Sequence, residues 1–256
     1  MASMQEKRQI NIQVKPQVIS GVDGSDINII WDTVDNPTAQ VIFAHGAGAN
    51  MTHEFMAEIA LLLNKASINV IRFNFPFMDK RALTGKKYPP DRMPKLLPCY
   101  EAVIEHVVKH GNCKGLPLFI GGKSMGSRVA ASLVADPEVL KANLLNKISA
   151  VICLGYPFHP TKKPENLRLE PLFGARKPVL IVQGDRDTLG NKEEIISYQL
   201  AEHCQCVFLP DGDHSFKPRV KSGFTFQAHM KLAVEEIVHF INQVLVDNKA
   251  VNEEKL

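Results

Sequence analysis

No run of eighteen apolar residues occurs in this chain, so no segment has the length expected of a membrane-spanning helix. The opening residues, Met1 to Arg8, lack the apolar stretch of a secretory signal, and residues 1–4 read as a cloning remnant ahead of a start at Met4. A cytoplasmic location is the expectation. Cysteine is scarce and odd in number, five residues with no C-x-x-C pair, which fits reduced thiols. One close grouping, His203-Cys204-Gln205-Cys206, cannot close a tetrahedral zinc site from alternate strand positions without a fourth partner. Neither a metal nor a cofactor is expected. Charge is nearly balanced at net +3, too little to indicate nucleic acid or a membrane as partner. Internal repeats, low-complexity segments and a linker able to split the chain are missing as well. One domain over about residues 5–250 follows, with a polar tail at 247–256 expected to fray.

What the chain does have is 45% hydrophobic residues, set in short runs between glycine- and proline-bearing turns. Ile10, Ile12 and Val14 alternate with polar residues, and Ile27 to Trp31 follows the turn cluster Gly21-Val22-Asp23-Gly24, which predicts an opening β-hairpin. Apolar strand patterns recur at Gln40–Ala44, Ile68–Phe75, Leu118–Gly121, Lys147–Leu154, Pro178–Gln183 and Cys206–Leu209. Helical spacing lies between them: Phe55, Ile59, Leu62, Leu63 and Ala66; Leu96, Tyr100, Val103 and Val107; an alanine-rich helix from Val129; Lys192 to Glu202; and Gln227 to Val246. A hairpin followed by strict strand-helix alternation predicts an α/β protein, a mostly parallel central sheet with helices on both faces. Ligands bind such sheets at the carboxyl ends of the strands. Two segments read as irregular, the polar stretch 76–94 and residues 155–177, the second too short for a full cap domain with its own core.

The carboxyl end of the central strand carries Gly122-Lys123-Ser124-Met125-Gly126, a G-x-S-x-G pattern. Its physical content is a strand-to-helix turn so tight that glycine is needed on both sides of the serine, which is left proud of the sheet at a helix N-terminus. Gly-Lys-Ser also occurs in phosphate-binding loops, but those need a glycine where this chain has Pro117. A second glycine loop, His45-Gly46-Ala47-Gly48-Ala49-Asn50, ends the strand at Gln40–Ala44. A dinucleotide fingerprint fits it poorly: Met51 stands at the third glycine, and no acidic residue ends the next strand. Its backbone N–H groups, chiefly that of Ala47, are placed to meet an oxyanion.

Polar loops follow four of the expected parallel strands, and three of them carry Ser124, Asp187 and His214 in chain order. A serine hydroxyl becomes a nucleophile when a base takes its proton; neutral imidazole does so near pH 7, and a buried carboxylate holds the imidazole's tautomer. Among nine histidines His214 alone follows the last strand in a loop. His45 reads as a structural hydrogen-bonder and His53 as a helix start. For the acid, Asp187 is favoured and Asp185 stays open as an alternative, while Asp211 and Asp213 suit turn hydrogen bonds.

The motifs Phe43 to Gly48, Gly122 to Gly126, Gly184-Asp185-Arg186-Asp187 and Gly212-Asp213-His214-Ser215 together resemble the α/β-hydrolase superfamily. Arg72 to Phe77, Pro89-Pro90-Asp91-Arg92 and Gly155 to Pro160 look like the KANSL/Tex-type group of small hydrolases, related to dienelactone-hydrolase-like proteins. The resemblance implies an α/β-hydrolase fold, a Ser124–Asp187–His214 triad and an oxyanion hole made by the Ala47 and Met125 N–H groups. It also implies a serine hydrolase of esters, thioesters or amides. Its alternatives are a non-catalytic interaction module on the same fold and, more distantly, a nicotinamide-dependent oxidoreductase.

Candidates for the substrate pocket are Phe75, Phe77, Tyr156, Phe158, His159 and Lys123. The basic residues of 76–95, with Lys123, Lys162 and Lys163, suggest a small-molecule acyl substrate bearing an anionic group. The oligomeric state is not legible in the sequence.

Overall fold

The computed structural model describes residues 11–21, 24–110 and 115–253. Ile10, residues 1–4, part of the Gly21–Gly24 turn and the last three residues of the tail therefore lie outside the described residues. The opening hairpin is present as β1 (Ile12–Ser20) and β2 (Asp26–Val34), paired antiparallel along their whole length. Then come β3 (Ala39–Ala44), α1 (Glu54–Lys65), β4 (Ile68–Phe73), α2 (Pro76–Thr84), α3 (Met93–His110), β5 (Leu118–Lys123) and α4 (Met125–Ala135). The second half adds α5 (Ala142–Leu145), β6 (Ile148–Leu154), α6 (Glu170–Phe173), β7 (Val179–Gly184), α7 (Lys192–Ser197), β8 (Cys204–Leu209) and α8 (Phe226–Glu253).

All eight strands form one sheet in the order β1-β2-β4-β3-β5-β6-β7-β8, parallel from β4 to β8 and antiparallel at β1 and β2. The central strands are buried on both sides, which is why they read as continuous apolar runs rather than alternating ones. Val41 and Phe43 pack beneath α1 and α8, whereas Ile42 and Ala44 face the opposite layer of α2, α3 and α4. This is the α/β-hydrolase architecture. Residues 155–178 hold only the one-turn α6, so among the described residues no cap domain covers the sheet.

The chain steps from β3 out to β4 and back across to β5, so the loops leaving β3 and β5 emerge side by side. Register places Ala44 opposite Gly122, which brings the glycine loop and Ser124 to one level.

Several boundaries differ from the sequence expectation. The polar stretch from Pro76 begins with a helix: Pro76 opens α2 with its preset φ, Phe77 and Met78 are buried under it, and Gly85 ends it in a left-handed conformation. The helix after Ser124 starts at Met125 rather than Val129, and α7 stops at Ser197. The tail expected to fray from Asp247 continues α8 to Glu253. Arg72 and Asp32 form a buried two-pronged pair, with Nε to Oδ2 at 2.7 Å and Nη2 to Oδ1 at 2.9 Å, that ties β2 to β4. A third guanidinium N–H donates to the Met51 carbonyl just beyond the glycine loop. Among the described residues no helix is long and apolar enough to cross a membrane.

Candidate functional site

Ser124 sits between β5 and α4 with φ 54 and ψ −115, a conformation that costs a non-glycine residue about 1–3 kcal/mol and is held only by its surroundings. Those surroundings are backbone. A Cβ on Gly122 would lie 2.5 Å from the Ala44 carbonyl oxygen, and one on Gly126 would lie 2.8 Å from that of His45. Both glycines are therefore required for β3, β5 and α4 to crowd together beneath the serine.

His214 lies in the loop after β8 and Asp187 in the loop after the adjacent β7. The imidazole Nδ1 is 2.7 Å from Asp187 Oδ2, and Nε2 is 2.9 Å from Ser124 Oγ. Asp187 is fully buried, accepts from the Leu189 N–H at 2.8 Å, and accepts at Oδ2 from Gln183 Nε2 at 2.9 Å. Its carboxylate keeps its lone pairs occupied in a dry site. Asp185, the open alternative, does not meet His214; its Oδ1 has no partner. Asp211 is ion-paired with Arg186 and Arg219, which hold its carboxyl down at about 2, and Asp213 accepts from the Ser215 and Lys217 N–H groups in the turn.

To reach Ser124 the imidazole must pass over the end of β6, which lies between β5 and β7. Gly155 makes this passage. Its φ is 60, and a Cβ there would stand 2.6 Å from Lys123 Nζ and 3.5 Å from His214 Cε1.

The Ser124 cavity has a volume of about 530 Å³. Its walls are the Gly46–Ala49 loop, Phe55 and Met56 from the start of α1, Lys123, His214, Lys217 and Phe226. Ala47 thus lines it, and Met125, the first residue of α4, has an N–H without an intrahelical acceptor. His45 is buried behind the loop. Its Nε2 accepts from the Phe75 N–H at 3.0 Å, so its Nδ1–H donates to the Gly46 carbonyl at 2.7 Å. Burial, with the Gly46 bond opposing it, lowers the His45 pKa to about 4. His53 caps α1 by accepting from the Phe55 N–H.

Of the pocket candidates, Lys123 alone lines the cavity. Phe75, Phe77, Tyr156 and Phe158 are core residues instead, in the layer under α2, α3 and α4. His159 is 3% exposed and meets the Pro160 carbonyl and Glu194. The apolar wall comes from Phe55, Met56 and Phe226, which the sequence reading did not assign to the site. The available signal was adjacency, since a helix starting directly after the glycine loop must begin at the carboxyl end of the sheet.

Residues 37–242 match the family described as "Alpha/beta hydrolase domain". Among solved structures the chain is similar to the dienelactone hydrolase from Anabaena variabilis ATCC 29413, at 19% identity over 89% of this chain and 98% of that one, with a TM-score of 0.64. It is similar to Est1E from Butyrivibrio proteoclasticus at 17% identity over 90% and 99%, TM-score 0.65. XC6422 from Xanthomonas campestris, described as a serine hydrolase without lid, is similar at 19% identity over 88% and 94%, TM-score 0.59. At such identities the likeness is one of fold.

Proposed function

The chain belongs to the alpha/beta hydrolase domain family, and on that premise we propose that it is a serine hydrolase of an ester, thioester or amide bond in a small to medium acyl substrate. The observation that carries this reading is the unbroken hydrogen-bonded line from Asp187 through His214 to a strained Ser124 at a cavity wall. In this mechanism His214 Nε2 takes the Ser124 proton as Oγ attacks the carbonyl. Asp187 holds the Nδ1–H tautomer and steadies the imidazolium that forms. Developing negative charge on the carbonyl oxygen meets the Ala47 and Met125 N–H groups. Collapse passes the imidazolium proton to the leaving group and leaves an acyl-Ser124, which water, deprotonated by the same imidazole, then hydrolyses. A panel of activated acyl esters with Ser124→Ala as control tests the proposal. The non-catalytic alternative predicts no turnover that the substitution removes.

The finer placement, in the KANSL/Tex-type group, rests on Arg72 to Phe77, Pro89-Pro90-Asp91-Arg92 and Gly155 to Pro160. A cytoplasmic site of action is part of the same proposal and is supported by Cys153, Cys204 and Cys206 being free thiols.

We further propose an anionic substrate. A groove of about 450 Å³, lined by Arg81, Lys86 and Lys87, shares Gly48, Ala49 and His53 with the Ser124 cavity. Lys162 and Lys163 line neither. Anionic acyl esters should exceed neutral ones of equal length in kcat/KM at low salt and lose that lead at high salt. Equal rates at both salt levels remove this part of the proposal.

A further inference from the structure

Of the charged side chains lining the cavity that the mechanism above leaves unused, Lys123 is the buried one, Glu54 and Lys217 being exposed. It is 9% exposed, and among the described residues no carboxylate lies within ion-pair distance of it. Its Nζ instead donates to the His214 carbonyl oxygen at 2.6 Å and lies 3.4 Å from His214 Nε2, the atom that faces Ser124 Oγ. The rings of Phe55 and Phe216 flank it at 5.5 and 5.6 Å, and the bare Cα of Gly155 leaves the space it fills.

An ammonium at that distance opposes a second positive charge on the imidazole, the charge that Ser124 attack creates. We infer that Lys123 is a positioning residue acting through His214: it pins the His214 backbone, and hydrolysis at Ser124 speeds up when it gives up its proton. This rests on the serine-hydrolase reading.

Burial brings the loss of that proton down to about 8, against the pull of Asp187 and Asp213. The other charged or titratable groups around the cavity are His53 and Glu54 at the start of α1 and Lys217 beyond His214. Two of the neighbours packed on Nζ, Phe55 and Phe216, carry no charge. A neutral amine keeps N–H donors for the His214 carbonyl, so proton loss removes the repulsion and leaves the tether.

The test is the rate of Ser124 labelling by a fluorophosphonate, measured from pH 6 to 10. The wild-type rate should rise roughly threefold to tenfold across a step centred near 8. Lys123→Met, uncharged and of similar volume, and Lys123→Gln, which keeps a donor, should both lack the step. A merely structural lysine would scale the whole profile and leave the step in place, and that result overturns the inference. Should either variant fail to fold, 13Cε NMR of wild-type Lys123 reads its proton loss directly. A midpoint different from that of the labelling step overturns the inference equally. Absence of any labelling in wild type is a different failure, that of the serine-hydrolase reading itself.

Discussion

Gln183 Nε2 donates to Asp187 Oδ2, the same oxygen that faces His214 Nδ1. All three oxygens around that amide nitrogen, those of Asp187, Tyr156 and Gly190, are acceptors, which fixes the NH2 end inward and leaves Oε1 without a partner. A buried carbonyl oxygen left unpaired in this way costs about 1–3 kcal/mol, so its retention points to the work of the NH2 end. Gln183→Leu is expected to lower kcat about tenfold, the equivalent of one lost hydrogen bond to a charged group, with KM little changed. Steady-state kinetics on an activated ester checks this. An unchanged kcat means that Asp187 is held without Gln183.

Gly155 clears the way for two side chains at once. Gly155→Ala places a methyl 2.6 Å from Lys123 Nζ and 3.5 Å from His214 Cε1 on a backbone at φ 60. The left-handed conformation alone costs an alanine about 1–2 kcal/mol, and the collision pushes His214 from Ser124. Urea unfolding should show at least that loss, and esterase activity should fall further than stability accounts for. A variant with wild-type activity contradicts the placement of the imidazole over β6.

His45 supplies a pH signature of the fold. The unfolded chain takes up this proton near the ordinary 6.5, the folded chain only near 4. Between those values the unfolded state binds more protons, so stability falls as pH drops through the window. The contribution is about 3 kcal/mol. Chemical denaturation at pH 7 and pH 4 should show that loss in wild type and a flatter profile in His45→Asn. A wild-type profile that stays flat over this range refutes the burial of a neutral imidazole there.

Ser124, Asp187 and His214 were legible because each follows a strand whose apolar run ends in a glycine-bearing turn, and chain order alone then aligns them at one rim. Asp185 could not be set aside from sequence, since two aspartates two positions apart differ only in direction, and direction needs the turn. Phe75 and Phe77 were misread for a related reason: they flank Pro76, and without α2 in view nothing shows that they turn inward beneath it. Gln183 sits in an apolar run and looks like an ordinary strand end, and the Arg72–Asp32 pair joins residues forty positions apart. Lys123 was visible beside the serine as a pocket candidate, but its partner, the His214 carbonyl, lies ninety-one residues away.

On the serine-hydrolase reading Ser124 is an activated nucleophile. Intact-mass spectrometry after exposure to a fluorophosphonate tests it most directly. The expected result is one adduct per chain on wild type, mapped to the peptide carrying Ser124, none on Ser124→Ala, and an adduct rate on His214→Ala reduced by at least about a thousandfold. An unmodified wild-type chain, or an adduct that persists in Ser124→Ala, contradicts it.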